Sequence, residues 1–204
     1  MSDEEIVLRA LRERRSIRKF TDAPVDTALI RRIVEAATWA PSAGNHQDWE
    51  FGVVASSDLK HRMVKAVRKH WDKVATNQDS GSSEILQSYS EHFSWFDAAP
   101  VVIVVSARRP KAVIEHLMGA DAVPIAGKTV SAAMAAQNLM LAAHACGLGS
   151  CCLTGPVGAA KSLSEIIGLS AKQQLVCLIA LGYAENVPSM PQRKSVDTIM
   201  RIIE

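Results

Sequence analysis

The sequence predicts an α+β fold, and three observations carry that reading. Pro100-Val101-Val102-Ile103-Val104-Val105 and Leu175 to Leu181 are short apolar, β-branched runs, as expected of strands buried on both faces. Thr129 to Cys146 is dense in alanine, methionine and leucine, which makes it a central helix apolar on most of its surface. Amphipathic helical stretches are spread around these segments in an order too irregular for a βαβ alternation.

Ser2 and Glu5 form a capping box, and Ile6, Val7, Ala10 and Leu11 recur at helical spacing, so a first helix runs up to Arg14 and Arg15. Asp26 caps a second helix with Leu29, Ile30, Ile33, Val34 and Ala37 on its apolar face, and Pro41 stops it. Pro41 to Asp48 is a polar loop, and Trp49 to Val54 follows as a strand. A basic amphipathic helix is built on Met63, Val64, Val67 and Trp71. Thr76 to Ser83, with Asn77, Asp79, Ser80 and Gly81, reads as a loop and a candidate lid. Gly147 caps the end of the central helix. The tail from Asn186 to Glu204, with Pro188, Pro191 and several basic residues, lacks a core of its own and is placed to pack across a neighbouring subunit.

With 204 residues, 48% hydrophobic and 22% charged, the chain suits one domain, residues 1–204. Its 23 basic and 21 acidic side chains leave a net charge of +2, without the broad positive field that nucleic-acid binding requires. The N-terminus starts acidic and lacks a basic n-region and apolar h-region, so a cytoplasmic protein is expected. Val130 to Leu153 is interrupted by Gln137, Asn138, His144 and glycines, which argues for a buried helix and against a membrane span. Cys146, Cys151, Cys152 and Cys177 form no CxxC pair and read as buried free thiols. The six histidines show no zinc-like spacing. Gly147-Leu148-Gly149 follows a helix and lacks the third glycine of a dinucleotide fingerprint, and neither a nucleophile elbow nor a P-loop is present.

Arg14-Arg15-Ser16-Ile17-Arg18-Lys19-Phe20 is the sharper signal. Guanidinium forks and a hydroxyl within one short segment can satisfy several phosphate oxygens together, and the same composition also suits a solvated basic helix end. Arg193-Lys194 is a second basic cluster, read by itself as an exposed charge pair. Ser42, Asn45 and Gln47 bring hydroxyl and amide groups to one loop; they suit a neutral heterocycle, or simply end a helix.

Together these segments resemble the FMN-dependent nitroreductase family over nearly the whole chain. Arg14 to Phe20 is similar to the family's RRSxRxF opening, and Pro41 to Trp49 to its PSxxNxQPW element. Phe96 to Val101 resembles the lead into a central strand, and Ala136-Gln137-Asn138 through Cys151 the dimer-core helix with its following turn. The resemblance implies a nitroreductase-like fold, a mainly antiparallel sheet flanked by helices in an intertwined homodimer. It implies FMN with its phosphate on Arg14, Ser16 and Arg193, joined by Arg15 and Lys194, and with Arg18 toward the ribityl chain and pyrimidine edge. Pro41, Ser42, Asn45, Gln47 and Gln137 are implied around the ring, and the turn Cys152-Leu153-Thr154-Gly155 faces it through backbone groups. Asp48 stands where the family usually has proline, and Cys152 where tryptophan is common.

The chemistry so implied is two-electron transfer from NADH or NADPH to a nitroaromatic, a quinone or a similar small acceptor, in ping-pong order. The cofactor performs the reaction, so no catalytic side chain and no metal is expected. Specialised members of the family fragment flavin, dehalogenate their substrates or oxidise peptide-linked rings. A flavin-storage protein without turnover and a cofactor-free interaction protein are the alternatives from other classes.

Overall fold

The computed structural model describes residues 1–109 and 127–204. Helix α1 spans Asp3–Glu13 and begins with the expected capping box: the Ser2 hydroxyl accepts from the Glu5 amide, and the Glu5 carboxylate accepts from the Ser2 amide. Helix α2, Thr27–Thr38, is capped by the Asp26 carboxylate and buries Ile30, Ile33 and Ala37. A single 3-10 turn, Ala43–Asn45, leads into strand β1, Trp49–Val54. Helix α3, Ser57–Thr76, buries Met63, Val64 and Val67 on the predicted face.

Thr76 to Ser83 is a correction. Thr76 ends α3, and only Asn77, Gln78 and Asp79 form a connecting turn. Asp79 accepts from the Ser82 amide as an N-cap, and Ser80–Glu91 continues as helix α4. The serines, the glycine and the aspartate that read as a loop are the opening of a helix, because a capping carboxylate satisfies the amides that helix start would leave unpaired.

Strand β2 is Val101–Arg108, helix α5 is Gly127–Ala145, strand β3 is Gly149–Leu153, helix α6 is Ala160–Ile167 and strand β4 is Gln173–Gly182. The four strands lie in the order β1-β2-β4-β3, every pair antiparallel. The central pair, β2 and β4, is buried on both faces, as the two apolar runs require. One sheet face packs Ile103, Val105, Ile179 and Leu181 against Ile33 of α2 and Ala135, Leu139 and Ala143 of α5. The other packs Val102, Val104, Leu178 and Ala180 against Met63 and Val67 of α3, Phe96, and Leu163 of α6.

Helix α5 is not covered all round: Ala133, Met134 and Gln137 are exposed on it. The large apolar residues of α1, Ile6, Val7, Leu8 and Leu11, are exposed as well, and Ala10 is half-buried. Residues 185–204 are exposed throughout and form no more than the turn of helix Val196–Ile199, so the tail lacks a core within its own chain, as its composition indicated. Among the described residues, no helix is long and apolar enough to cross a membrane.

Candidate functional site

The basic segment after α1 does not end as a solvated helix terminus. It leaves the helix at Arg14 and runs along the free edge of β3, where Ser16 bridges Ser150 and the Ile17 amide donates to the Ser150 carbonyl at 3.0 Å. Further on, Phe20 bridges Ala184, the Thr21 amide donates to the Tyr183 carbonyl at 2.9 Å, and the Glu185 amide donates to the Lys19 carbonyl at 3.1 Å. One extended segment thus ties β3 to the chain that leaves β4. These backbone bonds satisfy edge groups that would otherwise face solvent.

The same pairing brings the tail back over the arginines. Arg14, Arg15, Ser16, Arg18 and Arg193 line one cavity of about 280 Å³, together with Pro188, Ser189 and Pro191. Its lining is four guanidinium groups and two hydroxyls with no carboxylate, a donor set that matches a phosphoryl group. Pro188, Ser189 and Pro191 were not singled out from the sequence. Lys194 is exposed and lies outside that lining. Within the basic segment, Arg15 also donates to the carbonyls of Arg12 and Arg14, which ties its guanidinium to the end of α1.

Strand β3 presents its thiols beside this cluster. Cys151 and Cys177 are buried and Cys146 is half-buried, but Cys152 is exposed, which corrects the expectation of four buried thiols. Burial raises the Cys151 thiol, against the attraction of Arg18. The Cys152 thiol is held below its usual range by a hydrogen bond with Cys177 and by the charge of Arg14. Leu153 is buried, whereas Thr154 is exposed and Gly155 half-buried at the turn that follows.

The polar loop sits elsewhere in the chain. Its 3-10 turn is fixed by the Ala43 amide donating to Ser131 Oγ at 3.2 Å, at the start of α5. The Gln47 amide donates to Ser42 Oγ at 3.1 Å, and Gln47 Nε2 donates to Asn45 Oδ1 at 3.2 Å. Asn45 and Gln47 both adopt positive φ, 53° and 50°, so this loop holds a specific and uncommon backbone path. Pro41, Asn45 and Gln47 are exposed and Ser42 half-buried. Asp48, at the position of the family's proline, pairs with Lys128 Nζ at 3.0 Å and Arg108 Nη1 at 3.8 Å. An ion pair to the first turn of α5 therefore fixes the loop where a rigid ring usually would.

Within one chain these two segments lie at opposite ends of α5. The loop is bonded to Ser131, and Arg14 and Arg15 share a cavity with His144, so about 20 Å of helix stands between them. Gln137 is exposed midway along the same helix.

The sequence profile of the nitroreductase family matches residues 11–183. The chain belongs to the nitroreductase family. It is 26% identical to the rat iodotyrosine deiodinase 1 over 93% of this chain and 67% of that protein, and 23% identical to the Bacillus subtilis putative NAD(P)H nitroreductase YfhC over 91% of this chain and 88% of that one. The chain spans 62% of the Caenorhabditis elegans iodotyrosine dehalogenase 1 homologue, at 24% identity. Among solved structures, a BluB-like flavoprotein from Clostridium difficile 630 superposes with a TM-score of 0.85 at 24% identity, covering 97% of this chain and 99% of that one. A Desulfovibrio desulfuricans putative nitroreductase in complex with FMN superposes with a TM-score of 0.68 at 26% identity, covering 97% of this chain and 96% of that one. The nitroreductase-like α+β fold, an antiparallel sheet flanked by helices, is therefore the fold of this chain.

Proposed function

We propose that this protein is an FMN-dependent oxidoreductase that passes two electrons from NADH or NADPH to an electron-poor organic acceptor, as a homodimer. The single observation that carries the reading is the convergence of Arg14, Arg15, Ser16, Arg18 and Arg193 on one carboxylate-free cavity in a member of this family. Arg14, Ser16 and Arg193 hold the phosphate, and Arg15 helps to fix the segment that carries them. FMN, when bound, supplies the two-electron chemistry. The chain's own residues bind and orient: Ser42, Asn45 and Gln47 offer hydroxyl and amide groups to the edge of the ring, and the Cys152–Gly155 turn offers backbone groups to its face. Residues 1–204 act as one domain; the tail first lies over the chain's own basic segment as far as Arg193, and the part beyond it packs on the partner subunit.

The test begins with reconstitution. Heat should release FMN, identified by chromatography, and anaerobic NADH or NADPH should bleach the bound flavin while a quinone or nitroaromatic restores its colour. FAD in place of FMN, or no flavin uptake, would sink the reading. Flavin that neither nucleotide bleaches would mark a storage protein. A second reading, reductive dehalogenation, is supported by the similarity to iodotyrosine deiodinases, 24–26% identical over most of this chain. Halide release from halogenated tyrosines in the same acceptor panel would favour it.

Arg18 gives a prediction that concerns electrostatics. A guanidinium at the pyrimidine edge stabilises the charge gained on reduction more than it stabilises the neutral ring. Arg18→Ala should therefore lower the two-electron potential, by about 30 mV if the differential stabilisation is about 1.4 kcal/mol. Spectroelectrochemistry at saturating FMN reads the shift; an unchanged potential removes Arg18 from the ring's surroundings.

A further inference from the structure

The turn after β3 buries Pro156 and Ala159 in the core, but its first two residues have no such anchor. Thr154 is exposed, Gly155 has no side chain, and the 3-10 turn Gly155–Ala159 has no side-chain cap. What holds Gly155 comes from Trp71 of α3 and from Phe93, just beyond the end of α4. Trp71 Nε1 donates to the Gly155 carbonyl at 3.2 Å. The Phe93 ring packs so closely on the other side that a Cβ on Gly155 would lie 2.3 Å from its Cδ1, a separation only glycine permits. Farther along the turn, a Cβ on Gly158 would lie 2.9 Å from Trp71 Cζ2.

The two rings that make this clamp are themselves braced. Trp71 and Phe93 lie 5.5 Å apart at 59°, and Tyr89 meets both edge-on, at 5.6 Å from Trp71 and 4.9 Å from Phe93. Offset and edge-on pairs at these separations are attractive beyond their buried area, so Tyr89 adds to the stability of the α3–α4 packing, while the contacts to the turn itself are made by Trp71 and Phe93. Phe93 is buried and supplies the three atoms nearest a Cβ on Gly155, while Tyr89 is half in solvent.

We propose that Trp71 and Phe93 are positioning residues: they fix the Thr154–Gly155 turn against the ring of the bound cofactor, so that the α3–α4 pair sets flavin reactivity from outside the site. The inference rests on the FMN reading above. Backbone groups stabilise a developing charge only at hydrogen-bonding distance, and a displacement of about 1 Å can cost a hundredfold in rate. Thr154 and Gly155 have no buried side chain of their own to hold that tolerance, and the indole N–H and the phenyl face provide it.

The test uses full-length protein reconstituted with FMN. Trp71→Phe keeps an aromatic ring and deletes the N–H donor; Phe93→Leu loosens the turn while leaving that hydrogen bond in place. Each should change the visible spectrum and reduction potential of bound FMN and lower kcat/KM for the acceptor about tenfold. FMN affinity should stay within about twofold, because the phosphate arm is held by arginines that neither variant touches. Tyr89→Leu is the control: it should lower the melting temperature and leave the spectrum and potential as in the parent. Parental spectra and potentials in both Trp71→Phe and Phe93→Leu would overturn the proposal, as would a Tyr89→Leu variant that shifts them equally, since the effect would then follow stability alone. A parent that takes up no flavin overturns the FMN reading and this inference with it, whereas a flavin-loaded parent with inert variants overturns the inference only.

Discussion

Arg14→Ala and Arg193→Ala should each weaken FMN binding by about ten- to a hundredfold. A charge-assisted hydrogen bond contributes roughly 1.5–3 kcal/mol, and each 1.4 kcal/mol is tenfold in affinity. The two residues are more than 170 positions apart and meet only because Phe20 and Lys19 pair with Ala184 and Glu185, which turns the tail back over the basic segment. Equal losses in the two variants therefore test the fold as well as the site. Fluorescence titration with FMN and, separately, riboflavin locates the effect. If the arginines hold the phosphate, riboflavin, which has none, should bind both variants and the parent alike. Lys194→Ala should leave FMN binding within about twofold, because an exposed charge outside the cavity contributes little. Parental FMN affinity in Arg14→Ala and Arg193→Ala would mean that the cavity is a solvated surface.

What was legible in the sequence was local. The Ser2–Glu5 capping box, the Asp26 cap, the Trp49–Val54 strand and the two apolar runs each depend on residues a few positions apart, and each is found where its pattern put it. Helix α4 was missed because Asp79-Ser80-Gly81-Ser82 has a loop's composition, and the capping role of Asp79 outweighs it. The signal that would have found it is the spacing of Ile85, Tyr89 and Phe93 at four-residue intervals. Strand β3 was read as a turn after the central helix. It is short, made of small residues and at the sheet edge, and it becomes a strand only through its ladder with β4, from Gly149 opposite Gly182 to Leu153 opposite Leu178. The arginine segment stood out through its composition and its family likeness. Its partners Pro188, Ser189 and Pro191 did not, since they arrive by a pairing between distant parts of the chain that leaves no periodic trace.

The position of the polar loop leads to the prediction with the largest contrast. Ser131 anchors the loop at one end of α5, and Arg14 shares a cavity with His144 near the other, about 20 Å along the helix. An FMN held by Arg14 of one copy would therefore meet Asn45 of the second copy if a two-fold axis runs across α5, whose outward face carries the exposed Ala133, Met134 and Gln137. Arg14→Ala and Asn45→Ala homodimers would each have two defective sites. A mixed dimer would have one site carrying both substitutions and one carrying neither. Random exchange of equal amounts makes half the dimers mixed, so about a quarter of all sites should be restored. At an FMN concentration where either homodimer is mostly empty, the exchanged sample should show flavin occupancy near that fraction, with NAD(P)H-driven acceptor reduction rising in step. Occupancy equal to the mean of the two homodimers would show that each chain completes its own site, and the composite arrangement would be wrong even with FMN binding intact.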